Sequence, residues 1–449
     1  MRTNIGNYTQ CYGPLLRLAM PVVLAQAGQM LVTLVDTIMV GSLNDANLLA
    51  AVSFSGNLYT IVMFMGLGIS LAITPVVGMR YGAGRRRSVA FWLMQHRYLT
   101  VLVGLGQLLL MALLWLLIPL MRQPEAVVPV ARDYFLIVMF SILPTQIFYG
   151  GRQFAEGLAN TSLSMLITVT GNLINILCNY LFIFGHFGCP QLGVYGAAVG
   201  TVVSKVYMAA AMEMTIRRHR LFAAYSAEAS ACRFAPGAML RLLRLGLPIG
   251  GQMTVECFAF AAGGIMMGAI GAVECSAHQI VMTFTSLTYL MASGIASAIT
   301  IKVSIFGGQA DSAAIRRYSA AALQLVVAFM ASTGLTFVCL RHLIPSLVIG
   351  LPEVVGVAAT LMLVGGAFQI FDGLQVVCLG ILRGMSDMTY PAVVSGVAYA
   401  ATSLPVGYVL AFVAGAGAPG IWLGYLAGLV LASVLLLRRI RHLTARLNY

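Results

Sequence analysis

Charged residues are scarce in this chain: only 9% of its 449 residues are Asp, Glu, Lys or Arg, against about 25% in an ordinary soluble domain. That scarcity excludes a water-soluble fold of this size. Acidic residues are rarest, 13 against 26 Lys and Arg. The resulting net charge of +13 is spread too thinly through apolar sequence to form a nucleic-acid-binding face. There is no phosphate loop of the GxxxxGK[ST] kind and no HExxH motif. No polar segment is long enough to fold into an ATPase, so no use of ATP is expected. No nucleophile with its base and no metal cluster stands out, which argues against an enzyme. The eight cysteines mostly sit in apolar runs, as Cys178, Cys257, Cys339 and Cys378 do, and read as small packing residues. Cys189 and Cys275 alone fall near outer loops, and a disulfide between them is not expected.

What is abundant is hydrocarbon. Apolar residues make up 60% of the chain, enough for about a dozen spans of roughly 20 residues each. A window of about 19 residues finds stretches near 14–41, 49–79, 90–120, 127–151, 162–186 and 192–216, then 238–269, 276–305, 314–344, 354–382, 388–414 and 418–440. Arg2 and Arg17 precede the apolar run Leu18 to Gly41 as in a signal peptide, but that run is too long for one and reads as an uncleaved span. Arg80, Arg85 to Arg87, Arg217, Arg218, Arg220, Arg241, Arg244, Arg316, Arg317, Arg438, Arg439 and Arg441 fall in alternate gaps or at the C-terminus. The intervening gaps hold essentially Arg122, Arg132 and Arg341. Positive residues stay inside, so both termini are expected on the cytoplasmic side, consistent with an even number of spans.

The two sets of spans repeat. A shift of 226 residues lays Leu67-Gly68-Ile69-Ser70-Leu71-Ala72-Ile73-Thr74 over Ser293-Gly294-Ile295-Ala296-Ser297-Ala298-Ile299-Thr300. A shift of 227 aligns Pro21 with Pro248, Met39 with Met266 and Gly41 with Gly268, and one of 223 aligns Gln146-Ile147-Phe148 with Gln369-Ile370-Phe371. The expected fold is therefore an all-α polytopic membrane protein with twelve transmembrane helices in two parallel six-helix repeats. Its expected division is a first lobe over 1–216, a cytoplasmic linker over 217–236 and a second lobe over 237–449. Such parallel repeats handle a substrate between their halves. Pro21, Pro144, Pro248 and Pro391 lie in or near spans, where they can mark bends.

A carboxylate in hydrocarbon is costly, by about 2.5 to 3.5 kcal/mol on insertion scales, and is read first as functional. Ten acids lie near span ends, leaving Asp36 in span 1, Glu256 in span 7 and Asp372 in span 10. Asn175 and Asn179 share a face of span 5, with Asn172 a turn behind and Thr201 in span 6 at a related depth. One carboxylate with amide and hydroxyl oxygens suits a hard monovalent cation or a relayed proton. Plain interhelical bonding explains the asparagines almost as well. Neither Glu256 nor Asp372 has a basic residue inside its own span, which argues against structural ion pairs. Lys205 has three candidate roles: pairing with Asp36, pairing with Glu213, or snorkelling to the interface. Glu213 itself is placed for Arg217 at i, i+4, and His278 reads as a hydrogen-bonded interior residue.

The paired six-span halves, the stretch ending Val35-Asp36-Thr37-Ile38-Met39-Val40-Gly41, and the Leu382-Arg383-Gly384-Met385-Ser386-Asp387 turn together resemble the multidrug and toxic compound extrusion (MATE) family. Glu256 and Asp372 make the chain similar to its bacterial NorM-like branch, which implies a place in a bacterial inner (plasma) membrane. The resemblance implies a Na⁺- or H⁺-coupled antiporter, working as a monomer without a cofactor, that exports cationic lipophilic drugs or dyes. It implies cation coupling or protonation at Asp36, Asn175, Asn179, Thr201, Glu256 and Asp372, and substrate contact at Asp372, Glu256, Asp36 and Phe368. Na⁺ is then expected at Asp36, Asn175 and Asn179, or at Glu256 and Asp372. Phe368 stands where some members carry a tyrosine. The rival of related architecture is a flippase for lipid-linked oligosaccharides, which needs Arg or Lys for diphosphate where this chain offers acids and one Lys.

Overall fold

In a computed structural model, described for residues 8–121 and 123–446, twelve helices are long and apolar enough to cross a membrane. They are α1 (Thr9–Gly41), α2 (Ala46–Gly82), α3 (Arg86–Leu120), α4 (Val127–Gly157), α5 (Ser162–Phe184), α6 (Val194–Arg218), α7 (Pro236–Ile270), α8 (Ala272–Gly308), α9 (Ser312–Cys339), α10 (Pro352–Gly384), α11 (Thr389–Val413) and α12 (Ala418–Arg446). No strand occurs among the described residues. Every expected span is present, with ends shifted by a few residues. Arg2 and Arg122 lie outside the described residues, while Arg132, read as part of an outer gap, sits inside α4 with its guanidinium 4.3 Å above the Trp115 ring. All eight cysteines are free.

Helix is the only element these runs can form in lipid, because every backbone N–H and C=O must then find its partner within the segment. Large apolar side chains remain exposed along the shafts, among them Leu31, Leu109, Ile265, Leu335 and Val413. In water such faces would aggregate; in a bilayer they are solvated by acyl chains. Pro14 and Pro21 lie within α1 and Pro248 within α7. Next to Pro144, α4 tightens to a 3₁₀ turn over Met139–Ser141. In α11 two π-helical stretches, Val397–Ser403 and Val409–Val413, interrupt the α-helical winding.

Contacts divide the chain into two compact units, one of Leu24–Gly250 and one of Met1–Val23 with Gly251–Tyr449. The boundaries fall inside α1 and α7 rather than in the linker, so each of these helices contributes one half to each unit. The close packing of α7 explains its share. In the Leu24–Gly250 unit, a Cβ on Gly68 would collide with the backbone of Gly250 and Ile249, and one on Gly246 would lie 2.6 Å from Ile69 Cα. Backbones this close require glycine, the usual device for helix association where no hydrophobic driving force exists. The linker is folded onto the same unit through a short helix, Ala223–Ser230. Arg86 pairs with Glu228 at 2.8 Å, and Gln95 donates to Arg233 O and accepts from Ala235 N, both at 2.9 Å. Glu213 is held by Arg217 at 2.6 Å and by Arg97 at 2.9 Å.

The other unit is packed around Trp422, Tyr425, Phe368, Leu361 and Met362. Arg152 and Glu156 form a nearly buried i, i+4 pair at 2.7 Å in α4, an arrangement that is costly to break from one side. Gly68→Ala is expected to destabilise by about 1 to 3 kcal/mol through overpacking. Gly56→Ala, with nothing within 4 Å of the added Cβ, should be neutral. Thermal unfolding in detergent checks both, and equal midpoints for the two variants contradict the close-approach account.

Candidate functional site

The Leu24–Gly250 unit holds the first polar cluster. Asn175 and Asn179, four residues apart on α5, are both buried, and α1 brings Asp36 against them. Asn179 Nδ2 donates to Asp36 Oδ1 at 2.6 Å and to Asn175 Oδ1 at 3.3 Å. Asn175 Nδ2 in turn reaches Thr201 Oγ1 at 3.5 Å, while that hydroxyl donates to Ala197 O at 3.0 Å. All four residues expected in the N-terminal cluster are thus brought together. Gly200 on α6 makes room for them: an added Cβ would strike Asn179 Oδ1. That oxygen is buried and has no donor, and the same is true, as a donor, of Asn172 Nδ2. Lys205 donates to Gln29 Oε1 at 3.5 Å and is the basic group that acts electrostatically on Asp36. It forms no direct pair with Asp36 or Glu213 within 4.0 Å among the described residues.

The second cluster lies in the Gly251–Tyr449 segment. Glu256 on α7 accepts from Gln252 Nε2 at 3.0 Å, one turn back on its own helix, and from Gln375 Nε2 at 3.2 Å on α10. Gln375 Oε1 accepts from Tyr399 Oη at 3.0 Å. Tyr399 sits in the first π-helical stretch of α11, a kind of irregularity common at functional sites. Gln252 Oε1 accepts from Arg383 Nη2 at 3.3 Å. The chain of contacts therefore runs Arg383, Gln252, Glu256, Gln375, Tyr399, across three helices. Asp372 lies one turn before Gln375 on α10, only 6% exposed, and is electrostatically coupled to Glu256. No hydrogen bond reaches its carboxyl from any described residue. Phe368, a further turn away, is packed edge-on against Trp422 at 5.3 Å and Phe260 at 6.5 Å within the aromatic core. His278 accepts from Trp422 Nε1 at 3.2 Å, a hydrogen-bonded interior residue as expected.

Arg383 corrects one expectation. Standing just past the expected end of span 10 at 382, it turns inward and acts on Glu256, so that acid does have a basic neighbour from outside the counted spans. Gln252 and Gln375 were legible as i−4 of Glu256 and i+3 of Asp372, on shared helix faces. Tyr399 was not, because a π-helical stretch shifts which residues face inward. Among the described residues no three or more His, Cys, Asp or Glu converge. A cation in either cluster is left with one or two carboxylates plus amide, hydroxyl or phenol oxygens, hard donors that suit an alkali ion or a proton better than a transition metal.

Such an architecture, a repeated all-helical membrane body with a carboxylate-bearing polar cluster in each unit, is that of a polytopic transporter. A model of the MatE family matches residues 21–181 and again 248–409, and the chain belongs to that family. The two matches begin 227 residues apart (248 − 21), the register that aligns Pro21 with Pro248. The structure is similar to the eukaryotic MATE transporter AtDTX14, at 18% identity and TM-score 0.85, over 98% of this chain and 100% of that one. It is similar to the Vibrio cholerae MATE transporter VcmN in its bent form, at 18% identity and TM-score 0.85, over 99% of each. It also resembles an outward-facing multidrug resistance MATE transporter, at 17% identity and TM-score 0.88, over 97% and 96%. At these identities the likeness establishes the fold. For the first cluster, a double-mutant cycle of Asp36→Ala and Asn179→Ala on unfolding should give a coupling of about 1 to 3 kcal/mol. A coupling below about 0.5 kcal/mol is no more than distant sites show and would refute the contact.

Proposed function

We propose that the protein is a Na⁺- or H⁺-coupled antiporter that exports cationic lipophilic compounds by alternating access, as a monomer, with both termini in the cytoplasm of a bacterial plasma membrane. The observation that carries this reading is Asp372: a carboxyl 6% exposed, unreached by any hydrogen bond from the described residues and coupled to a second acid. An unsatisfied buried carboxylate is unstable on its own. Whichever cation reaches it, proton, Na⁺ or drug, discharges it, so the cations compete for one group. Exchange follows if the coupling ion and the drug favour different packings of the helices, because a ligand shifts a conformational equilibrium only through unequal affinity for its states. Glu256, anchored by two amides, is the steadier partner in this pair, and the Asp36 cluster supplies a separate place for the coupling ion.

The test is reconstitution in liposomes, with a Na⁺ gradient and a pH gradient imposed separately while efflux of a lipophilic cation is followed. One gradient is expected to accelerate efflux, and Asp372→Asn is expected to abolish that acceleration. Stimulation by neither gradient, or undiminished coupled efflux in Asp372→Asn, overturns the reading.

A further inference from the structure

Arg383 occupies the last turn of α10, a position from which a long basic side chain ordinarily snorkels outward to the membrane surface. Here it does the reverse. Its Nη2 donates to Gln252 Oε1 at 3.3 Å, and the other end of the same amide donates to Glu256 at 3.0 Å. Its Nε is buried without a partner, so the guanidinium is held inward at the cost of an unmade bond. Among the described residues Arg383 carries the formal positive charge that acts on Glu256 and Tyr289, Asp372 is acted on by Glu256, and the remaining ionisable groups of the cluster, Tyr289 and Tyr399, are phenols. With both acids ionised, two carboxylates and one guanidinium leave a net charge of one negative. Without Arg383 that charge would be two negative.

We propose that Arg383 is the fixed counter-ion of the Glu256–Asp372 pair and thereby a specificity determinant, lowering the charge the pair demands from two to one. The site then takes one monovalent lipophilic cation, or one monovalent coupling ion, at a time and discriminates against dications. Gln252 is the positioning residue: by accepting from the guanidinium and donating to Glu256, it keeps the two charges apart, so that they compensate without collapsing into a closed ion pair. Glu256 thereby stays free to meet a cargo. This inference rests on the antiport reading and adds to it the charge class of the cargo.

Purified protein is titrated with tetraphenylphosphonium, a monovalent lipophilic cation, and with dequalinium, a lipophilic dication, and the ratio of the two dissociation constants is compared among variants. Arg383→Gln should shift that ratio toward the dication by about tenfold, a modest effect for one charge at these separations. Arg383→Lys should keep the wild-type ratio. The double variant Arg383→Gln with Glu256→Gln, again one negative overall, should return to it. If Arg383→Gln does not fold, Gln252→Glu adds one negative charge at nearly the same place and should shift the ratio in the same direction. A purely structural arginine would weaken both ligands together and leave the ratio unmoved. A ratio unchanged within about twofold in both Arg383→Gln and Gln252→Glu overturns the counter-ion role while leaving the antiport reading intact. Failure of the wild-type protein to bind either cation instead removes the antiport reading itself.

Discussion

The high free energy of a charge in hydrocarbon governs this molecule from end to end. It forces the backbone into helices, since any unpaired amide would carry a similar penalty. It sweeps Arg into the gaps between spans, where their bias sets orientation. It also confers meaning on every acid that stays inside, because a carboxylate held in lipid at about 2.5 to 3.5 kcal/mol is retained only where something depends on it.

The two buried clusters answer that penalty differently. Around Asp36, one amide, Asn179, donates to the carboxylate and is itself linked through Asn175 to Thr201, with Lys205 acting on Asp36 from beside Gln29. Around Glu256, amides from two helices hold the carboxylate while Asp372 nearby receives no hydrogen bond from the described residues. In the first cluster the carboxylate has its donor and the unpartnered atoms are amide groups, Asn179 Oδ1 and Asn172 Nδ2; in the second it is a carboxyl, that of Asp372, that no described residue reaches. An unsatisfied buried polar group in an otherwise tightly packed body is the natural place for a ligand to enter. The surrounding packing is tight enough for that contrast to matter: glycine-to-backbone contacts between helices leave little slack to relieve a bare carboxyl.

α1 and α7, equivalent in the repeat, are both divided between the two contact units. Each of these helices carries one of the intramembrane carboxylates, Asp36 on α1 and Glu256 on α7. Both helices also contain a proline at the aligned positions, Pro21 and Pro248. Proline frees a carbonyl from its helical partner and makes a local change of direction inexpensive.

Composition and period alone determined the number of spans, their approximate ends, the repeat and the three intramembrane acids, because each of these is a one-dimensional consequence of what hydrocarbon tolerates. The grouping of Asp36 with Asn175, Asn179 and Thr201 was also legible, since helical spacing and depth along a span can be counted from the chain. What the acids touch could not be counted. Tyr399 reaches Gln375 only because α11 unwinds into a π-helical stretch. Gly200 reads as one small residue among 47 glycines until Asn179 is placed against it. Arg383 stands in the sequence just past the end of span 10, and only the fold turns it toward Gln252 and Glu256. Depth along the membrane is written in the order of residues; rotation about each helix axis, and hence which polar groups meet, is settled by side chains from other spans.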